Sequence, residues 1–214
     1  MDHERLSMPL GEAIFTLRSI RRLKTDPIPM ADIELIIAAA SKAPNGGNHQ
    51  TARFLVLNDR AAIEAFGALY REAWWAKRFD EKGWTKREDI PLEEESYRNA
   101  ALLADDIKNA PCIILAFSSS RGQASSVVPA VQNLLLAARA LGIGSVPTTL
   151  HPSVMDRVRE MFGVPAEADL HLCIPLGYPR GRFGPTKRRP TWETTYFNRW
   201  GAPVPWSPEP VARR

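Results

Sequence analysis

The sequence predicts an α+β fold, with helices packed around one central sheet. Three observations carry that expectation. The chain has 214 residues, 44% of them hydrophobic and 24% charged, enough to bury a sizeable core in one domain. Short apolar runs of strand length are separated by longer stretches in which apolar residues recur at helical spacing. The two kinds of element do not alternate strictly as strand, helix, strand, as a parallel sheet built from crossovers would require.

Leu10, Ala13, Ile14 and Leu17 recur at helical spacing, which predicts an amphipathic helix near 9–17. It runs out into LRSIRRLKTDPIP, whose two prolines stop it. Ile33, Ile36, Ile37 and Ala40, with Pro29 at the start, predict a second helix over 30–42. The segment APNGGNHQ (43–50) holds a proline, two glycines and two asparagines and reads as a loop, and RFLVL (53–57) as a strand. Residues 59–109 are helical in tendency but irregular, with Trp74, Trp75 and Trp84, then an acidic run at Glu93–Glu95. CIILAFSSS (112–120) is a continuous apolar strand, and Ser118–Ser126 a loop. VVPAVQNLLLAARAL (127–141), stopped by Gly142, is the most apolar helix. With so little polar surface it must lie centrally or in a subunit interface. GSVPTTL (144–150) is a strand-to-loop passage, 152–163 a helix ending at Gly163, and LHLCIPLGY (170–178) a buried strand. The remainder is an extended tail punctuated by prolines. Four or five strands are expected in one domain over 1–214, with no repeat, linker or low-complexity segment.

Several function classes drop out. No stretch of about eighteen uncharged apolar residues is present, so no membrane-spanning helix is expected. The start, MDHERLSMPLGEAIF, has early acids and no apolar h-region, so no secretory leader is expected. Cys112 and Cys173 lie in apolar runs and read as buried thiols of a reducing, cytoplasmic setting rather than a disulfide or zinc site. His3, His49, His151 and His171 lack metal-ligand spacing, and no Walker loop, G-x-G-x-x-G or nucleophile elbow occurs. His171, inside an apolar strand, reads as a core histidine. The net charge of +4 is uneven: residues 178–214 hold eight Lys or Arg against two Glu. These charges are interleaved with seven prolines, and the rest of the chain offers no basic face. A site for one small phosphate accounts for them better than a nucleic acid does.

Four segments remain as carriers of chemistry. Arg18-Ser19-Ile20-Arg21-Arg22 closes the first helix and offers forked donors and a hydroxyl to phosphate oxygens; alone, it reads equally as a solvated basic turn. Lys187-Arg188-Arg189 precedes Pro190 and is ambiguous in the same way, yet two such clusters at element ends are suited to converge on one anion. Pro44-Asn45-Gly46-Gly47-Asn48-His49-Gln50 supplies amides for the edge of a planar heterocycle and glycines for close approach, or is an ordinary loop. Pro147-Thr148-Thr149 sits at a strand end, where cofactor sites gather, or is a plain turn.

In this order the segments resemble the FMN-dependent nitroreductase family. The chain reads LRSIRR, APNGGNHQTARF, AVQNLLLAARALGIGSVPTT, PLGYP and KRRPTWE, which is similar to that family's pattern over nearly the whole length, except about 60–108 and the last dozen residues. The resemblance implies a central, mostly antiparallel sheet surrounded by helices, an intertwined homodimer with shared active sites, and FMN as cofactor. It implies further that NADH or NADPH passes hydride through flavin N5 to a small electron-poor acceptor, a nitroaromatic, a quinone or similar, by a ping-pong route. No side chain is then the catalytic group, no metal is needed, and neither nucleic acid nor membrane is a partner.

Residue by residue, the resemblance assigns Arg18, Ser19, Arg21 and the adjacent Arg22 to the FMN phosphate, ribityl chain and pyrimidine edge. It assigns Arg188 to the phosphate, with Lys187 or Arg189 assisting. Pro44, Asn45, Gly46, Asn48 and Gln50 match the loop that a second subunit lays against the flavin. Pro147, Thr148 and Thr149 match the segment facing the ring near N5. The chain departs from the pattern at Leu17, Leu23 and Thr51-Ala52; the contact due from position 17 is absent or falls to Arg22. Residues 60–108 are the variable helical segment, where Trp74, Trp75, Phe79 and Trp84 either wall an acceptor channel or pack in the core or interface. The resemblance also admits an FMN-binding or flavin-sequestering protein without nicotinamide-driven turnover, and an enzyme with another donor such as a deazaflavin.

Overall fold

The computed structural model describes residues 2–208. In chain order they form α1 (Leu10–Thr16), α2 (Met30–Ser41), β1 (Ala52–Leu57), α3 (Arg60–Lys82), α4 (Glu95–Asp106), β2 (Cys112–Ser118), α5 (Ala124–Ala140), β3 (Gly144–Ser145), α6 (Met155–Phe162) and β4 (Asp169–Gly177). The strands make one sheet in the order β1-β2-β4-β3, with every pair antiparallel.

Helices cover both faces of this sheet, and the alternation of side chains along β2 shows how. Cys112, Ile114 and Ala116 point into one core, with Ile174 and Leu176 of β4 and the apolar faces of α2 and α5. Ile113, Leu115 and Phe117 point into the other, with Cys173, residues of α3 and α4, and Val158 of α6. Successive strand residues face opposite sides, so a strand covered on both must be apolar throughout, and β2 is buried at every position.

The helical stretch after β1 is more regular than the sequence predicts. Ile63, Phe66, Tyr70 and Ala73 line one buried stripe, and α3 runs unbroken for 23 residues. Asp59 caps its start, accepting from Ala62 N–H at 2.9 Å. Gly83 ends it in the left-handed region, at φ 73°. The loop expected over 118–126 is shorter, because α5 begins at Ala124. In the strand-to-loop passage expected at 144–150 the strand takes two residues, followed by an isolated bridge between Thr148 and Cys173.

After α1 the chain runs extended beside β3 and the end of β4. Ile20 N–H donates to Ser145 O at 2.9 Å, Lys24 N–H to Tyr178 O at 2.7 Å, and Arg180 N–H to Arg22 O at 2.9 Å. Gly144 permits the approach: a Cβ there would lie 2.8 Å from Ile20 Cγ2 and 3.2 Å from Gly177 O.

Candidate functional site

The extended segment and the tail after β4 enclose a cavity of about 660 Å³ beside α5. Leu17, Arg18, Ser19 and Arg21 line it from one side, and Pro185, Thr186, Lys187 and Arg188 from the other. Gln132 and Leu135 of α5, Ser145 of β3, Pro147 and Glu95 complete the wall. Its size falls in the range of small-molecule and cofactor sites.

The electrostatics of this wall are lopsided. Four cations, Arg18, Arg21, Lys187 and Arg188, face one carboxylate, Glu95. Among the described residues none of the four is in an ion pair. Burial lowers the pKa of Arg21; the nearby Tyr70 opposes this and Arg18 adds to it. Cations without an ion-pair partner that converge on a cavity, one of them the half-buried Arg21, favour an anion there. The wall also carries Ser145 Oγ, buried and without a hydrogen-bond partner.

Of the residues expected from the sequence, Arg18, Ser19, Arg21, Pro147, Lys187 and Arg188 meet here. Arg22, Thr148, Thr149 and Arg189 are not in the wall. Arg22 follows Arg21 in an extended segment, so the two side chains point to opposite sides, and Arg22 is exposed. Thr148 is turned inward: its Oγ1 lies 2.9 Å from Tyr70 Oη, and its backbone pairs with Cys173 at 2.9 and 2.7 Å.

Pro44, Asn45, Gly46, Asn48 and Gln50 also lie outside this cavity. Their loop packs at the start of α5, where Gly46 N–H donates to Ser126 Oγ at 3.3 Å. Ser126 is roughly 9 Å along the helix axis from Gln132, at 1.5 Å per residue. Asn45 Oδ1 accepts from Gln50 N–H at 2.9 Å and closes the loop on itself.

The tryptophans take the packing alternative. Trp74 and Trp75 meet edge to face at 4.7 Å, and Trp84 meets Tyr97 at 5.4 Å. The Arg78 guanidinium lies between them, 5.4 Å from the Trp74 ring and 5.1 Å from that of Tyr97. None of Trp74, Trp75, Phe79 and Trp84 lines the cavity, and Phe79 is 60% exposed.

Glu95, Gln132, Ser145 and Thr186 were not expected at the site. Gln132 had a signal: with Asn133 it forms an amide pair on a largely apolar helix, which a buried packing helix does not need. Glu95 lay hidden in an acidic run that reads as a solvated face.

The sequence profile described as Nitroreductase family matches residues 14–178. An iodotyrosine deiodinase from Thermotoga neapolitana is 30% identical, over 76% of this chain and 84% of its own. An NADH dehydrogenase from Thermus thermophilus is 28% identical, over 81% of this chain and 88% of its own. Among solved structures, an oxidized iodotyrosine deiodinase bound to FMN and 3-iodo-L-tyrosine superposes with a TM-score of 0.67 at 26% identity, covering 85% of this chain and 94% of that one.

Proposed function

Because the chain belongs to the nitroreductase family, we propose that it is a cytoplasmic FMN-dependent oxidoreductase. Residues 1–214 form one domain that works as a homodimer and takes reducing equivalents from NADH or NADPH. The observation that carries this reading is the convergence of Arg18, Arg21, Lys187 and Arg188, all without an ion-pair partner among the described residues, on one cavity. The donor set fits the cofactor: cations for a phosphate, Ser19, Thr186 and Gln132 for ribityl and ring-edge groups, and Leu17, Leu135, Pro147 and Pro185 for a flat apolar ring. The FMN bound by the deiodinase relative supports the same assignment.

When bound, FMN supplies the hydride chemistry; the protein binds it, orients it and tunes its electronics. Arg18, Lys187 and Arg188 hold the phosphate. Arg21 is the least hydrated of the four cations, and its fixed charge favours the anionic, reduced side of the couple. The loop Pro44–Gln50, largely exposed and outside its own chain's cavity, serves the cavity of the second copy. No helix among the described residues is long and apolar enough to cross a membrane. Electron-poor nitroaromatics and quinones are the acceptors to screen, and kinship with a deiodinase adds aryl halides to that screen.

The test is the visible absorption spectrum of the purified protein, followed by anaerobic addition of NADH and then NADPH. A flavin spectrum that bleaches with one or both donors is expected. A flavin spectrum that resists both would leave an FMN-holding protein without nicotinamide turnover, or one served by another donor. Absence of flavin, even after FMN is added, would overturn the reading.

A further inference from the structure

The two cation-bearing walls of the cavity come from distant parts of the chain, and one buried side chain touches the root of each. Arg139, in the last turn of α5, is only 8% exposed. Its Nε–H donates to Thr16 Oγ1 at 2.9 Å, and an Nη lies 3.4 Å from Glu12 Oε1. Thr16 Oγ–H donates in turn to Glu12 O at 2.6 Å. The face of the same guanidinium lies against Phe183, 4.2 Å from the ring centroid. Thr16 immediately precedes Leu17–Ser19, and Phe183 stands two residues before Pro185.

We propose that Arg139 is a positioning residue that sets the spacing between these two walls, and with it the preference of the cavity for a phosphorylated ligand. The proposal rests on the anion reading of the site given above. General stability does not explain a buried guanidinium here, since an apolar side chain of similar volume often serves a core as well or better. What the guanidinium adds is direction: in-plane donors reach α1 while the flat face receives an aromatic ring. Both walls are thereby registered on one rigid plane carried by the core helix. Loosening either contact lets the Arg18 and Arg188 side chains drift apart, which costs a compact dianion far more than it costs an uncharged ring.

The test compares full-length wild type with Arg139→Met, Arg139→Lys and Phe183→Leu. Apo protein is titrated with FMN and with riboflavin, followed by flavin fluorescence, and its fold is checked by circular dichroism. Losing a stacked and hydrogen-bonded cation is expected to raise the FMN Kd of Arg139→Met about tenfold. The riboflavin Kd should move by less than about twofold, because riboflavin has no phosphate for the walls to grip. Arg139→Lys keeps a donor for Thr16 but has no planar face, so it should fall between. Phe183→Leu, which leaves the core untouched, should show the same selective loss to a smaller degree. Equal losses for FMN and riboflavin, or no loss for either, would overturn the proposal. If wild type binds neither flavin, it is the cofactor assignment that fails, and inorganic phosphate then tests the spacing by itself. Phosphate should raise the Tm of wild type and do so less for Arg139→Met; equal shifts, or none in wild type, would overturn it.

Discussion

Tyr70 shows how closely the floor behind the cavity is packed. Its ring is 1% exposed, and burial pushes its pKa up to about 12, although the hydrogen bond with Thr148 and the nearby Arg21 both oppose the rise. Burial also pushes the Cys112 thiol up to about 12 and raises Cys173. The folded chain therefore holds these protons more tightly than the unfolded chain, whose thiols and phenols ionise near 9 and 10. Between those values and about 12 the unfolded state binds fewer protons, so stability falls as pH rises. Below pH 9 this contribution is fully present. The Tm is expected to decline steadily from pH 9 toward 12 in circular-dichroism melts, and Cys112→Ala should blunt the first part of the decline. A Tm that rose over that interval would contradict the burial of these groups. Thr148 follows the same logic: its hydroxyl and backbone are committed to Tyr70 and Cys173, so this segment contributes Pro147 to the cavity wall and not Thr148.

The extended segment after α1 depends on one missing side chain. A methyl group at Gly144 would meet Ile20 Cγ2 at 2.8 Å and Gly177 O at 3.2 Å. Gly144→Ala is expected to cost about 1–3 kcal/mol, the usual range for overpacking. It should also displace the Arg18–Arg21 strip, which urea unfolding and FMN titration would register together. An unchanged FMN Kd in this variant would mean that the strip holds its place without β3. The physics of such elements decides what the sequence could disclose. Strand β2 was legible because burial on two faces demands an unbroken apolar composition, and helix α5 because of its long Leu- and Ala-rich run. The two basic clusters were legible as chemistry, and Arg18, Arg21, Lys187 and Arg188 line one cavity in the fold. Helix α3 was obscured because charged residues such as Arg71, Glu72, Lys77 and Arg78 are interspersed with its tryptophans and break the visible pattern. Arg22 misled because neighbouring arginines look alike in a sequence, whereas an extended backbone sends them to opposite sides. Glu95 and Thr186 had no local signal, since their place in the wall follows from how the segment after α3 and the tail fold back on the core.

The molecule as a whole exposes more apolar surface than its own core can use. A groove of about 950 Å³ runs among the N-terminal segment, α1, α2 and α5, lined by Leu6, Met8, Leu10, Leu35 and Leu136 among others. Nearby, Leu10 and Phe15 stand 68% and 75% exposed. Exposed apolar area of this kind marks an interaction surface. If a second copy covers it, light scattering should return about 48 kDa, twice the 23.9 kDa of one chain, in keeping with the prevalence of two-fold symmetric pairs. A Phe15→Glu, Leu10→Glu double variant should shift to the monomer mass and release bound flavin; a variant that stays dimeric would place the interface elsewhere. The cavity itself has a consequence in time. Its two cation-bearing walls are Leu17–Arg21 and Pro185–Arg188, so about three quarters of the chain is synthesised between the first and the second. On the ribosome the early wall emerges alone, holding half of the cations and nothing to close against. A ligand that needs both walls can therefore be captured only once the finished chain has left the ribosome.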